Sequence, residues 1–306
     1  MTFRIGAYLW SKLFFGTVVL FTLIIGGTNY WIDYYGLFRD ASEENLFFYG
    51  NERTSKYLYS FQYIPQNYDG LVVGSSFSNN WDVSLIRSAH VYNGSLDGAN
   101  ISEEKLIFDN FLKRGKIRLL VVGIYPHLTA DHGRRSGYMD PSEYWGALGS
   151  LQLFREYATQ FLVKIGARKN YFGAHGRYAF ELDQDYRNKF YANPDVGRGD
   201  GAFTVSNVAV REYEELLSEA REGGAMIVGV VPPIYLSIYN KNRENYEAYI
   251  EQMSALFEPS EKIINFNSAP YFKYVNDPKT FQDGIHLTTK AADIFSGELA
   301  AIVDAL

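Results

Sequence analysis

The chain has 306 residues, enough for two average domains or one large α/β domain, and its 47% hydrophobic and 21% charged content excludes a wholly disordered chain or a polytopic membrane protein. A formal net charge of -6 without a Lys/Arg run provides no footprint for nucleic acid. The absence of cysteine rules out disulfides, thiolate nucleophiles, Cys-ligated zinc and lipoprotein anchoring.

Residues 13–32 carry no charged side chain, matching the ~20 apolar residues that cross a bilayer core as a helix. Arg4 and Lys12 precede this stretch, and Asp33, Asp40, Glu43 and Glu44 follow it. The positive-inside rule therefore puts residues 1–12 in the cytoplasm and everything after the span outside. Tyr30, Trp31, Tyr34 and Tyr35 stand where the helix meets the outer interface, as anchoring aromatics do. A cleaved signal peptide has an apolar region of ~7–15 residues and an Ala-x-Ala-like site. Neither is present, so the segment reads as an uncleaved single-pass anchor.

Residues 33–68 have no long period and read as a linker and juxtamembrane segment with a short helix near 56–63. Leu71-Val72-Val73 is a short continuous apolar run of the kind that forms a buried parallel strand. Residues 90–93 form a weaker strand, 102–112 a helix whose first turn carries Glu103-Glu104, and 117–124 a third strand. The pattern then breaks. Residues 126–206 contain one predicted helix, 142–165, among Gly- and Asn-rich segments, and so long an irregular stretch predicts a functional insertion shaping an active-site rim. A helix at 208–222, a strand at 226–231, a helix at 242–257, a strand at 263–266 and a terminal helix at 288–306, capped by Thr288 or Thr289, complete the chain. This alternation predicts an α/β fold, a three-layer α/β/α sandwich with a parallel sheet of about five strands, in one extracytoplasmic domain spanning 69–306. The 25 Tyr and 22 Phe can line a sugar-binding groove or pack the core, and packing is the preferred reading.

Two local features carry chemistry. Ser76 lies just past the first strand, in Gly74-Ser75-Ser76-Phe77-Ser78, where open α/β sheets hold ligands. The segment after it can turn into a helix, which would let its backbone N-H groups face a developing oxyanion. Asp283-Gly284-Ile285-His286 precedes the last helix. There Asp283 can hold the His286 tautomer while the other ring nitrogen takes the Ser76 proton. Each motif by itself is a common turn composition; their order and strand-end positions are what join them into a triad.

On these residues the chain resembles the SGNH, or GDSL-like, hydrolase superfamily. Gly74-Ser75-Ser76 stands where the family has Gly-Asp-Ser, and Asp283 with His286 matches its Asp-x-x-His block. Asn93-Gly94-Ser95-Leu96-Asp97-Gly98 is similar to its second block, which implies that the Gly98 N-H joins the Ser76 N-H in the oxyanion hole. The third block departs: Gly123-Ile124-Tyr125-Pro126-His127 lacks the Asn of Gly-x-Asn-Asp. Asn79, Asn80 and Tyr125 are candidates to help the hole, and Asn79, Asn80, Tyr125 and His127 are candidate substrate contacts. With the anchor, these features are similar to DltD-like envelope proteins that work with membrane-bound O-acyltransferases. The resemblance implies serine-dependent acyl transfer or ester hydrolysis, of O-acetyl or other O-acyl groups, on a cell-surface polysaccharide or cell-wall polymer. The alternative is a catalytically weak scaffold that binds a membrane O-acyltransferase or glycan.

No cofactor and no metal site is expected. His127 and His132 are a poor pair, five residues apart without a third ligand, and His90 and His175 have no partner legible in the sequence. Arg198-Gly199-Asp200 spells an adhesion-like tripeptide that a Gly-rich turn explains better.

Overall fold

The computed structural model describes residues 6–39, 50–130, 137–196 and 203–306. Arg4, Asp40, Glu43, Glu44, the Asp131-His132 pair and Arg198-Gly199-Asp200 lie outside the described residues. In chain order the helices are α1 (Ala7–Ile32), α2 (Glu52–Tyr59), α3 (Tyr63–Asn67), α4 (Ile101–Leu112), α5 (Pro126–Ala130), α6 (Ser142–Gly149), α7 (Gln152–Lys164), α8 (Gln184–Ala192), α9 (Asn207–Glu222), α10 (Leu236–Lys241), α11 (Arg243–Ser254), α12 (Phe272–Val275) and α13 (Thr289–Val303). The strands are β1 (Gly70–Val73), β2 (Val91–Asn93), β3 (Leu119–Gly123), β4 (Met226–Val231) and β5 (Lys262–Asn265). They form one five-stranded, all-parallel sheet in the order β2-β1-β3-β4-β5, flanked by helices.

The strands are apolar runs because successive side chains enter different cores. Leu71, Val73, Leu120 and Val122 pack with Ile107, Phe108 and Phe111 of α4 and with Tyr213, Leu216 and Leu217 of α9. Val72, Leu119, Val121, Val228 and Val230 pack instead with Phe295 and Leu299 of α13. Many tyrosines are core residues: Tyr59, Tyr92, Tyr213 and Tyr246 are among the largest fully buried side chains. The strand order reverses between β1 and β3, and in open parallel sheets the crevice at such a switch point holds the ligand.

Several segments differ from the sequence reading, and 126–206, given one helix there, also carries α5 and α8. The stretch expected as a linker with one short helix near 56–63 carries two, α2 and α3, whose Tyr57, Leu58, Tyr59 and Ile64 are buried in the first core. The helix expected over 142–165 is two helices, broken where Ser150 turns extended (ψ 113). The break is filled from α1: Asn29 Nδ2 donates to the carbonyls of Leu148 at 2.8 Å and Ser150 at 3.0 Å, while Tyr157 Oη donates to Asn29 Oδ1 at 2.8 Å. An amide from a distant helix thus satisfies carbonyls that a continuous helix would have paired. α1 itself is long and apolar enough to cross a membrane.

Candidate active site

The loop after β1 is built by close approach. A Cβ on Gly74 would lie 2.2 Å from Ser78 Oγ, so only glycine fits where β1 turns. No α-helix follows Ser76, contrary to the sequence expectation. The chain instead makes two tight turns, with Ser78 N donating to Ser75 O and Trp81 N to Ser78 O, each at 3.0 Å. Asn93 at the end of β2 is the reason they hold: its buried Nδ2 donates to Ser78 O at 2.8 Å, and Ser78 Oγ meets Ser95 Oγ at 2.7 Å. The amides around Ser76 are therefore turn amides, without a helix macrodipole behind them.

Ser76 is half-buried at this turn, and its Oγ lies 2.8 Å from His286 Nε2. His286 Nδ1 lies 2.8 Å from Asp283 Oδ2, and both Asp283 and His286 are buried. Asp283 Oδ1 accepts the backbone N-H groups of His286 at 2.9 Å and Ile285 at 3.2 Å, so the turn itself orients the carboxylate. Burial acts to raise the Asp283 carboxyl, but the His286 hydrogen bond and charge and the two backbone donors outweigh it and hold it below the ordinary carboxylate value. The ionised carboxylate keeps the proton on Nδ1 and leaves Nε2 as acceptor for the serine hydroxyl. The expected triad is one hydrogen-bonded line.

The other expected residues separate into groups. Gly98 stands in an exposed left-handed turn (φ 60), a conformation that favours glycine, and Leu96 N ties this loop to Gly74 O at 3.3 Å. The second-block loop is therefore hydrogen-bonded to the serine loop. Asn79 and Asn80 are buried, with carboxamide nitrogens that have no acceptor among the described residues. Tyr125 is a core residue, its ring 4.9 Å from that of Phe77 and its carbonyl accepting Tyr249 Oη at 2.9 Å. His127 is exposed on α5, and no described contact joins it to the triad. His90 and His175 meet each other, ring centroids 5.0 Å apart, with Tyr68 stacked on His90 at 4.6 Å.

Residues from 126–206 pack beside the Ser76-His286-Asp283 line. Phe180 sets its ring edge-on to His286 with centroids 5.8 Å apart. Gln282, next to Asp283, accepts Leu182 N at 2.6 Å and donates to Phe180 O at 3.2 Å. Tyr178 N donates to Asn79 O at 2.8 Å, and Arg177 Nε to Asn80 Oδ1 at 3.2 Å.

Sequence reasoning missed Lys56. This fully buried lysine of α2 donates to Ser95 O and, at 3.4 Å, to Asn79 Oδ1, and pairs with Glu52 Oε1 at 3.1 Å. One ammonium thus links the serine loop, the second-block loop and α2. It occupies the Asn79 oxygen, whereas the buried Asn79 nitrogen has no acceptor among the described residues. A lone lysine in an aromatic segment carries no sequence signal for this role.

Glu104, expected in the acidic first turn of a helix, is fully buried there and accepts Leu96 N at 3.1 Å. Burial pushes its carboxyl well above the ordinary value, against the opposing pull of Lys56 and the Leu96 N-H. The folded chain then binds this proton more tightly than the unfolded chain, so stability falls as pH rises from the ordinary value through the raised one and stays lower above it. Glu104→Gln, a neutral isostere, is expected to gain melting temperature over the parent on going from mildly acidic to mildly alkaline pH. Parallel melting curves across that range would remove Glu104 as the titrating group.

Among the described residues no group of three or more His, Asp or Glu is placed to hold a metal ion. Comparison with models of known families and with curated proteins finds no match for the chain.

Proposed function

We propose that the chain is an SGNH-type serine acyltransferase or esterase, a three-layer α/β/α sandwich held at the outer face of a membrane by α1 with its N-terminus in the cytoplasm. The observation that carries this reading is the Ser76-His286-Asp283 hydrogen-bonded line at the switch point of a parallel sheet. Ser76 Oγ attacks an acyl carbonyl as its proton passes to His286 Nε2, and the carbonyl oxygen becomes an oxyanion facing the Ser76 and Gly98 amides. Collapse expels the alcohol, which takes the proton back from His286, and leaves the acyl group on Ser76. An incoming hydroxyl gives its proton to His286 and attacks the acyl-enzyme, restoring the serine. Water as acceptor makes an esterase; a hydroxyl of a cell-surface polysaccharide or cell-wall polymer makes a transferase. A donor or acceptor at the membrane, O-acetyl or another O-acyl ester in class, fits an anchored domain, and a membrane O-acyltransferase fits as partner. The buried carboxamide nitrogens of Asn79 and Asn80, without an acceptor among the described residues, are the candidates to replace the oxyanion Asn absent from Gly123-Ile124-Tyr125.

Labelling with a fluorophosphonate probe tests the nucleophile. The full chain is expected to label covalently and Ser76→Ala not at all; no labelling of the parent, or equal labelling of the variant, overturns the catalytic reading. The missing third-block Asn favours a second reading, a scaffold for a membrane acyltransferase. Co-purification with such a partner that survives Ser76→Ala, together with an unlabelled parent, would support it.

A further inference from the structure

The solvent face of α7 has the wrong polarity. Its inward face is Leu153, Glu156, Tyr157 and Gln160, whereas its outward positions, Leu151 just before it through Ile165 just after, read Leu151, Phe154, Ala158, Phe161, Leu162 and Ile165, all exposed. These recur at helical spacing, and Leu151 (68%), Phe161 (60%) and Ile165 (58%) are exposed enough to form a continuous apolar stripe. A soluble helix turns such a stripe inward, and a contiguous exposed one marks a binding face.

Two observations identify what covers it. The first is position. Asn29 bonds the α6–α7 junction to α1 one turn before the end of the charge-free stretch 13–32. A stretch of that length matches the ~30 Å of a bilayer core at ~1.5 Å per residue, so the junction stands level with the boundary between acyl chains and headgroups. Trp145 of α6, 69% exposed, joins Tyr30 of α1 through Phe38, with ring centroids 6.5 and 5.9 Å apart. These rings extend the interfacial aromatic cluster of α1 onto the domain. The second is charge. Arg155, Lys164, Arg168 and Lys169 are exposed on and just beyond α7, against the single acid Glu156 between 151 and 170, in a chain of net charge -6.

We propose that α7 is a second membrane element, lying in the plane of the bilayer surface with its apolar stripe among the acyl chains and its cations at anionic lipid headgroups. The inference rests on reading α1 as a membrane span. The α6–α7 half of the insertion then grips the membrane while its 177–182 segment edges the triad, setting the height and tilt of Ser76 above the lipid. An ester donor or acceptor embedded in the same leaflet is the substrate class this arrangement suits.

The cysteine-free chain allows a direct test in the full protein. Ala158→Cys, Phe161→Cys, Ile165→Cys, the span control Val19→Cys and the water control Glu214→Cys are each spin-labelled and placed in vesicles of phosphatidylcholine and phosphatidylglycerol. The ratio of collisions with oxygen to those with a water-soluble nickel complex is expected to be roughly fivefold or more higher at 158, 161 and 165 than at 214, as for a helix buried ~5–10 Å into the interface. A high ratio at 19 with water-like ratios at the three α7 positions overturns the inference, leaving α1 inserted and the stripe for a protein partner. Water-like ratios at 19 as well overturn the membrane span and the inference together.

Discussion

Asp283→Asn is expected to slow acylation of Ser76 by about 10⁴-fold while leaving the fold intact. The carboxamide oxygen can still accept the N-H groups of Ile285 and His286, which bind Asp283 Oδ1 at 3.2 and 2.9 Å. The new amide nitrogen must then face His286 Nδ1, where Asp283 Oδ2 stands at 2.8 Å. A donor there selects the imidazole tautomer with its proton on Nε2, and that nitrogen can no longer take the proton from Ser76. Because Asp283 is held ionised by those same bonds, the loss should persist across neutral and mildly acidic pH. The second-order rate of fluorophosphonate labelling, with hydrolysis of an activated acetate ester as a parallel measure, reads it. A loss under tenfold would mean that His286 is oriented by something other than Asp283.

Lys56→Met is expected to destabilise the domain by about 3–5 kcal/mol, the cost of leaving one partner of a buried pair uncompensated. That is a large part of the ~5–15 kcal/mol that holds an ordinary domain together. The substitution keeps the volume of the stem but strips the Ser95 carbonyl and Asn79 Oδ1 of their donor and Glu52 of its partner. Denaturant unfolding of the full chain in detergent measures the loss. At low temperature, where the variant stays folded, Ser76 labelling should slow as well, because both loops flanking the nucleophile lose their common latch. Unchanged stability with unchanged labelling would make the ammonium dispensable, as buried ion pairs sometimes are.

These two sites differ in how they could have been found. Asp283 and His286 were legible because a tight turn brings them together within four residues, and Ser76 because it follows an apolar run that could only be a buried strand. The positive φ of Gly98 explains the residue type there without bearing on the donor role expected of it. Tyr125 and His127 were placed near the cleft by their position after β3; the structure turns one into the core beside Phe77 and the other out to solvent. Position after a strand specifies a neighbourhood, not a side-chain direction.

The sequence by itself determined the five strands, the helices α4, α9, α11 and α13, the apolar N-terminal helix and the three residues of the candidate triad, because each rests on periodicity or on a local motif. Only the tertiary structure decided the rest. Lys56 became the latch of the site because Ser95 and Asn79, far along the chain, fold around it. The helix expected over 142–165 broke because Asn29 was there to pair its carbonyls. The outward stripe of α7 was fixed only when packing assigned Leu153 and Tyr157 to the inside. Hydrophobic period tells that a helix has two faces, and only the contacts made by the rest of the chain tell which of them is left for the solvent or the membrane.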